Sequence, residues 1–532
     1  MIIEITALFW YNMSMNTEMK SSAEWQALLE KKEDEITTLH RQVEWLTQQL
    51  RLMRGQRFGA SSERTQVISE QISLFNEAEA DSDIPESDLE QITYKRKKRA
   101  GKREMDFSGL PVEQIIHELP EAERVCLECG GPLHKCGQSV LRRELAYVPA
   151  QYKVVEHIQT AYSCRCCEQK NDHVPMKKSV VPPALFPGSG VVSPGLLAHI
   201  LNSKYVLALP LYRQEQEFQR VGVSISRQTM ANWILAVHEK WFSDFFQLLR
   251  RELLANSILH ADETTLMVLR EPGRKAQQKS YVWVYRTSGD SQRPVVLYDY
   301  QPTRAGECAS NFLSGFSGML HTDGYEAYHC KLPPEITVVG CWAHMRRKFT
   351  DTLKSLPADL RSRSPAQVGL DFCNKLFGLE ESYGKQGLFF EERQLARTEQ
   401  SVPVAKAFFV WAKTEHKKNP VPKSMLGAAL TYAVRQESWL MNVFLDGRLE
   451  LSNNRAERSV RPFALGRKNW LFSNTPKGAD ASAAIYSLVE TAKANGLKPF
   501  AYLNFLLVRL ANGIKMEECL PWTSLAQKLC KS

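Results

Sequence analysis

Ile258-Leu259-His260-Ala261-Asp262-Glu263-Thr264 is a short apolar run that ends in carboxylates, and Met319-Leu320-His321-Thr322-Asp323-Gly324-Tyr325 repeats the plan. Runs of this length, bounded by turn residues, read as buried strands. Working outward, Ile258 to Val268, Tyr281 to Arg286 and Val295 to Tyr300 read as three strands. Their polar connections include Glu271-Pro272-Gly273 and Ser288-Gly289-Asp290. A helix is expected from Thr303 to Leu313, a fourth strand from Gly318 to Thr322, and a fifth from Ile336 to Gly340.

Three strands in a meander, then helix, strand, helix and strand, is the order of an RNase H-like fold. In that order the first and fourth strands lie side by side, so Asp262 and Asp323 meet although 61 positions separate them. Alternation along a strand sends Glu263 to the opposite face from Asp262. A third carboxylate is carried by Leu451-Ser452-Asn453-Asn454-Arg455-Ala456-Glu457-Arg458-Ser459-Val460-Arg461-Pro462. Asn453 or Asn454 is expected to cap the helix that holds Glu457. Carboxylates gathered at one point repel unless a cation sits between them, which suggests Mg²⁺ or Mn²⁺ bound by Asp262, Asp323 and Glu457. A pair of such ions activates a water or a 3′-hydroxyl and stabilises the leaving oxygen of a phosphodiester. Glu450 and Asp446 are the fallback third ligands.

These words closely resemble the DDE transposases of the insertion sequence 66 family: His-Ala-Asp-Glu-Thr around Asp262, Asp-Gly-Tyr at Asp323, Asn-Asn-Arg-Ala-Glu-Arg around Glu457, and Gly466-Arg467-Lys468-Asn469-Trp470. The resemblance runs from about Gln42 to Leu510 and takes in Thr491-Ala492-Lys493-x-Asn495-Gly496-Leu497-x-Pro499. It implies a catalytic trio of Asp262, Asp323 and Glu457, cleavage of transposon ends, and 3′-hydroxyl strand transfer into target DNA. It also implies accessory transposition proteins and makes Cys341-Trp342-Ala343-His344-Met345-Arg346-Arg347-Lys348-Phe349 a family motif. Cys341 and His344 there look like half of a metal site whose other half is not visible nearby in the sequence. We read them as structural or positioning residues.

The 532 residues suffice for several domains. The hydrophobic fraction of 43% is ordinary, and no apolar run is long enough to cross a membrane. Met1 to Trp10 is apolar but has no basic flank and no cleavage site, so no signal peptide is expected; Met13 or Met15 is an alternative start. The net charge of +9 allows binding to nucleic acid. Twelve cysteines, some closely paired in a chain without a leader, favour zinc over disulfides and a cytoplasmic, nucleoid-associated location.

Ile36, Leu39, Val43, Leu46, Leu50 and Met53 are spaced 3, 4, 3, 4, 3, the seam of a coiled coil that would pair two chains. An acidic stretch follows, and then seven basic residues between Lys95 and Arg103, a linker and phosphate-binding arm. Cys126-x-x-Cys129 and Cys164-x-x-Cys167 supply four thiolates for one Zn²⁺, with Cys166 an alternative to Cys167. Leu196 to Tyr205 and Leu211 to Val221 read as helices; a Gly222 turn and a helix from Arg227 to about Lys240, capped by Ser226, complete a helix-turn-helix pattern. Arg227, Gln228 and Asn232 would face DNA. Arg346, Arg347 and Lys348, and Arg455, Arg458, Arg461, Arg467 and Lys468, are the further candidates for phosphate contact.

The expected fold class is multidomain α/β. Its division is a coiled-coil helix over 22–56, a linker with the basic run over 57–105 and a zinc module over 106–178. A helix-turn-helix-like region over 190–250 follows. An RNase H-like catalytic domain takes 251–475 with a helical insertion at about 350–448, and a helical segment closes the chain over 476–532. The expected partners are DNA and a second copy of the chain. The rival readings are a DNA-binding protein derived from a transposase without chemistry, and a metal nuclease that cuts without joining.

Overall fold

The computed structural model describes residues 31–32, 35–36, 152–163, 176–186, 192–418 and 424–531. The zinc ligands expected at Cys126, Cys129, Cys164 and Cys167 lie outside them, as does the basic run at 95–103. Of the expected coiled coil, Lys31, Lys32, Glu35 and Ile36 are described, and they are helical. The chain divides into two units, one of which spans Ala80–Val181. Its described part contains a small antiparallel pair, β1 (Ala161–Ser163) with β2 (Met176–Lys178).

The other unit begins, among the described segments from Pro182 on, with helices. Ser193 accepts a hydrogen bond from Leu196 N at the start of α1 (Pro194–Tyr205). After α2 (Leu211–Arg220) the chain turns at Gly222, whose φ of 81° suits a residue without a Cβ. Ser226 then caps α3 (Arg227–Val237) by accepting from Thr229 N. The helix expected to reach Lys240 instead widens into a π-turn at His238–Phe242 and continues as α4 (Ser243–Leu254).

Next comes a mixed sheet of five strands: β3 (Ile258–Met267), β4 (Lys279–Thr287), β5 (Val296–Gln301), β6 (Gly318–His321) and β7 (Ile336–Val339). Their spatial order is β5-β4-β3-β6-β7. The first three are antiparallel neighbours, while β3 pairs with β6 and β6 with β7 in parallel. Between β5 and β6 lies α5 (Gly306–Phe312), shorter than the helix expected from Thr303. Between β6 and β7 the expected helix is a single turn at Ala327–Cys330.

The helical insertion follows β7. Among the described residues it comprises α6 (Trp342–Ser355), a single turn at Ala358–Arg361, α7 (Pro365–Gln386), α8 (Phe390–Ala396), α9 (Val402–Lys418) and α10 (Met425–Met441). The chain then returns to the sheet with α11 (Asn454–Trp470), which packs on β3 and β4, and α12 (Pro476–Ala494), which packs on β5. Two more helices, α13 (Pro499–Ala511) and α14 (Ser524–Cys530), follow the break at Asn495-Gly496. Among the described residues no helix is long and apolar enough to cross a membrane.

Two buried clusters hold this unit together. One lies between the sheet and α1, α3, α4 and α11 to α13, with Trp283, Tyr285 and Tyr298 fully buried in it. The other is the insertion's own, built from Trp342, Phe349, Phe408 and Leu430 and reaching the sheet through Ile258 and Val339. In the second cluster Arg397 is fully buried. Its guanidinium donates to both Glu380 oxygens, at 2.7 and 2.8 Å, and to the carbonyls of Asp446 (2.9 Å) and Leu449 (2.7 Å).

The outer edge of β5 does not face water bare. Ser487 Oγ of α12 accepts from Tyr298 N at 2.8 Å, and Thr491 Oγ1 accepts from Val296 N (3.0 Å) and donates to Val296 O (2.9 Å). Side chains of one helix thus take the place of a neighbouring strand, which removes the edge as a template for pairing with another chain.

Candidate active site

The parallel pairing of β3 with β6 sets His260 opposite His321. Asp262 lies two residues beyond the first and Asp323 two beyond the second, so both reach the same end of the sheet. Beneath them the buried imidazoles of His260 and His321 lie against each other, with centroids 5.0 Å apart and the ring planes tilted by 35°. Burial holds the His260 pKa down at about 4 and that of His321 well below its usual range, so both rings are neutral near pH 7.

Asp262 is half-buried, and the loss of water around its carboxyl pushes its pKa well above the usual carboxylate range; the charges of Glu263, Asp323 and Glu457 push it the same way. Its Oδ1 accepts from the backbone N–H of Glu263 at 2.8 Å. Asp323 Oδ1 accepts from Tyr325 N at 2.9 Å. Glu457, in the first turn of α11, completes the group. Its Oε1 is buried without a hydrogen-bond partner.

Glu263 turns away, as alternation along β3 predicts. It pairs with Arg304 and accepts from Tyr328 Oη at 2.7 Å. The fallback carboxylates are also engaged: Glu450 pairs with Arg455, and Asp446 with Arg448 at 2.7 Å. A Cβ on Gly324 would run into the Tyr432 ring of α10, so the glycine lets the insertion pack directly beside Asp323.

The Cys341–His344 half-site finds its other half here. Cys341 Sγ, a His344 ring nitrogen and a Glu457 oxygen all lie within 4.8 Å of one another. His344 Nε2 is 3.6 Å from Glu457 Oε1, and Arg347 is 3.7 Å from Oε2. Burial lowers the His344 pKa, but the neighbouring Cys341, Glu457 and Asp323 outweigh it and push the ring up to about 9. The sequence signal for this contact was the Cys-x-x-His spacing alone; its partner stands 113 positions beyond His344.

Asn453 departs from its expected capping role. It occupies the cap position of α11, but its side chain makes no cap hydrogen bond. It is fully buried, donates to Ala261 O at 2.8 Å, and its Oδ1 meets His260 Nδ1 at 2.9 Å. Its backbone N–H donates to Cys341 Sγ at 3.2 Å. Through its side-chain amide and its backbone N–H, Asn453 therefore ties together the strand of Asp262, the helix of Glu457 and the start of α6. The buried imidazole and carbonyl need these partners more than the helix end does.

The basic candidates divide by what they touch. Arg467 donates to Thr265 on β3, and Arg455 pairs with Glu450, so both are engaged within the protein. Arg346 donates to Asn374 at 2.8 Å and so faces α7. Lys348 lies 4.6 Å from the Tyr432 ring; burial lowers its pKa against the pull of Asp351 and Asp323. Arg461 is half-buried, while Arg458 and Lys468 are exposed. On α3, Arg227, Gln228 and Asn232 are exposed, and Gln228 donates to Asn232 at 3.0 Å.

Comparison with known proteins agrees with this architecture. Residues 189–481 match the model described as "Transposase IS66 family", and 487–522 match the "IS66 C-terminal element". Residues 123–168 match the "zinc-finger binding domain of transposase IS66", a span that contains all four paired cysteines. Residues 45–115 match a model described as "Transposase C of IS166 homeodomain". Three relatives from Sinorhizobium fredii, each named only as an uncharacterized protein, align over most of both chains. The first, y4qI, is 33% identical over 90% of this chain and 88% of its own; y4jD is 31% identical over 83% and 86%. The third, y4hP, is 28% identical over 92% and 88%. No solved structure matches the chain. With matching models spread from residue 45 to 522 and relatives aligned nearly end to end, the chain belongs to the IS66 family of transposases.

Proposed function

We propose that this chain is a DDE transposase that cuts the ends of a transposon and joins them to target DNA, with Asp262, Asp323 and Glu457 as its catalytic carboxylates. The observation that carries the reading is the placement of Asp262 and Asp323 beyond paired positions of adjacent parallel strands, with Glu457 close enough to raise the Asp262 pKa. The strand order β5-β4-β3-β6-β7 supports an RNase H-like catalytic domain.

The donor set fits a hard divalent ion. All three groups offer oxygen, they repel one another, and one Glu457 oxygen is buried without a partner. Asp262, Asp323 and Glu457 would hold Mg²⁺ or Mn²⁺, which when bound supplies Lewis acidity to the attacking and leaving oxygens of a phosphodiester. The chain's own part is placement. Asn453 fixes the Glu457 helix against the Asp262 strand, and Glu263 with Arg304 fixes the back of the same strand. Exposed Arg458 and Lys468, with Arg227, Gln228 and Asn232 on α3, offer the DNA backbone a charged and polar surface. Water attack on the phosphodiester at the transposon end breaks its P–O3′ bond and frees a 3′-hydroxyl, leaving a 5′-phosphate on the flanking DNA; that hydroxyl then attacks a target phosphodiester in line, and the target's own 3′-oxygen leaves as a hydroxyl. Cys126, Cys129, Cys164 and Cys167 hold Zn²⁺ in a separate module, and the seam from Ile36 to Met53 pairs two chains.

The test is strand transfer with labelled transposon ends in Mg²⁺ or Mn²⁺. Asp262→Asn, Asp323→Asn and Glu457→Gln keep DNA binding and lose both nicked and joined products. Nicks without joined product would make the protein a nuclease. Full activity in any of the three variants would remove that residue from the catalytic set.

A further inference from the structure

We propose that Cys341, His344 and Glu457 form a second cation site, selective for a thiophilic divalent ion such as Zn²⁺, that shares Glu457 with the aspartate pair. The geometry comes from two helix starts that face each other. Cys341 sits at the N-cap of α6 and His344 one turn on, so the two project to one side. Glu457 projects from the first turn of α11. Their donor atoms lie within 4.8 Å of one another. Tetrahedral zinc holds such atoms about 3–4 Å apart, a gap that small side-chain rotations close.

The donor chemistry separates this site from its neighbour. Asp262 and Asp323 bring only oxygen, which suits Mg²⁺. A thiolate, an imidazole and a carboxylate are a set that Mg²⁺ binds poorly and zinc binds well. Three protein ligands leave one position open, as in zinc sites that admit water or substrate.

Two further observations point to a ligand. Glu457 Oε1 is buried without a hydrogen-bond partner, with His344 Nε2 3.6 Å from it, and a bound ion would supply one to the carboxylate. The sulfur already has an outer support, because Asn453 N–H donates to Cys341 Sγ at 3.2 Å. Hydrogen bonds of this kind orient and stabilise metal-bound thiolates. Zinc at this site would engage Glu457 and withdraw it from the aspartates. That consequence rests on the proposed function, whereas the site itself does not.

Metal counting on the full-length chain tests the site without DNA. The chain is stripped with chelator, dialysed against Zn²⁺ in millimolar Mg²⁺, and its zinc measured per chain. The four-cysteine module accounts for one ion, and the expected excess over it is one more. Cys341→Ser and His344→Gln each lose that second ion, while Cys126→Ser loses the first. With Co²⁺ as the probe, the sulfur-to-cobalt charge-transfer absorption that remains in Cys126→Ser disappears on adding Cys341→Ser. Circular dichroism reports whether each variant folds, and if Cys341→Ser does not, His344→Gln gives the count. Equal counts in the unsubstituted chain and in folded His344→Gln overturn the proposal. A second zinc ion in a chain that never cuts DNA would leave this site intact and sink the transposase chemistry instead.

Discussion

Arg397 in the helical insertion and Asp262 at the end of the sheet are ionisable groups held in opposite ways. In the helical insertion, Arg397 is fully buried and surrounded by groups of the right sign: both oxygens of Glu380 and two or more backbone carbonyls. At the end of the sheet, Asp262 is half-buried and the charges that act on it most strongly are other carboxylates. The first arrangement is complete and rigid; it stabilises the insertion only because every donor is satisfied. The second costs the metal-free fold stability and makes sense where a cation completes it.

The largest effect should come from breaking the complete arrangement. Arg397→Ala leaves Glu380 and several carbonyls buried without a partner, and denaturant unfolding should show a loss of about 3–5 kcal/mol. A loss under about 1 kcal/mol would mean water replaces the guanidinium, and the contrast between the two regions would fall. Asn453→Ala probes the border between them. It strands the Ala261 carbonyl and His260, with an expected cost of about 1–3 kcal/mol. It should also slow strand transfer while leaving DNA affinity unchanged, because it loosens the Glu457 helix from the Asp262 strand.

The smallest effect has the opposite sign. Asp262→Asn replaces a carboxyl whose ionisation its surroundings and neighbouring carboxylates disfavour, so the metal-free variant should be slightly more stable than the parent at neutral pH. The pH dependence follows from the raised pKa of Asp262 in the folded state. Between about 3.9, the unfolded value, and the raised folded value, the native state binds more protons than the unfolded one. Stability of the metal-free parent therefore rises as pH falls through that window and declines as pH rises through it. Melting curves of Asp262→Asn should lack this slope. An unchanged slope would assign the titration to another group, such as Glu263, whose pKa burial also raises.

Much of this site was legible because its signals are local. Two apolar runs ending in Asp, on strands whose order forces them together, located Asp262 and Asp323. Period-two alternation correctly sent Glu263 to the other face. Other features were not legible, for reasons that are physical. The meeting of Cys341 and His344 with Glu457 depends on how the helical insertion returns the chain to the sheet, and no spacing encodes that. Asn453 looked like a cap by residue type, yet the demand of a buried imidazole and a carbonyl outweighed the helix end. Arg455 and Arg467 counted as free cations in the sequence, while packing commits them to Glu450 and to Thr265.

The position of the insertion has a consequence for when the three carboxylates come together during synthesis of the chain. Asp262 and Glu457 stand 195 positions apart, with the insertion and its separate core between them. At about 5–20 residues per second, a ribosome takes roughly 10–40 s to add the third carboxylate after the first. The exposed edge of β5 waits longer still, until Ser487 and Thr491 arrive to satisfy it. A nascent chain thus carries an incomplete carboxylate cluster for most of its translation. Any chemistry that needs all three groups is deferred until most of the protein has been made.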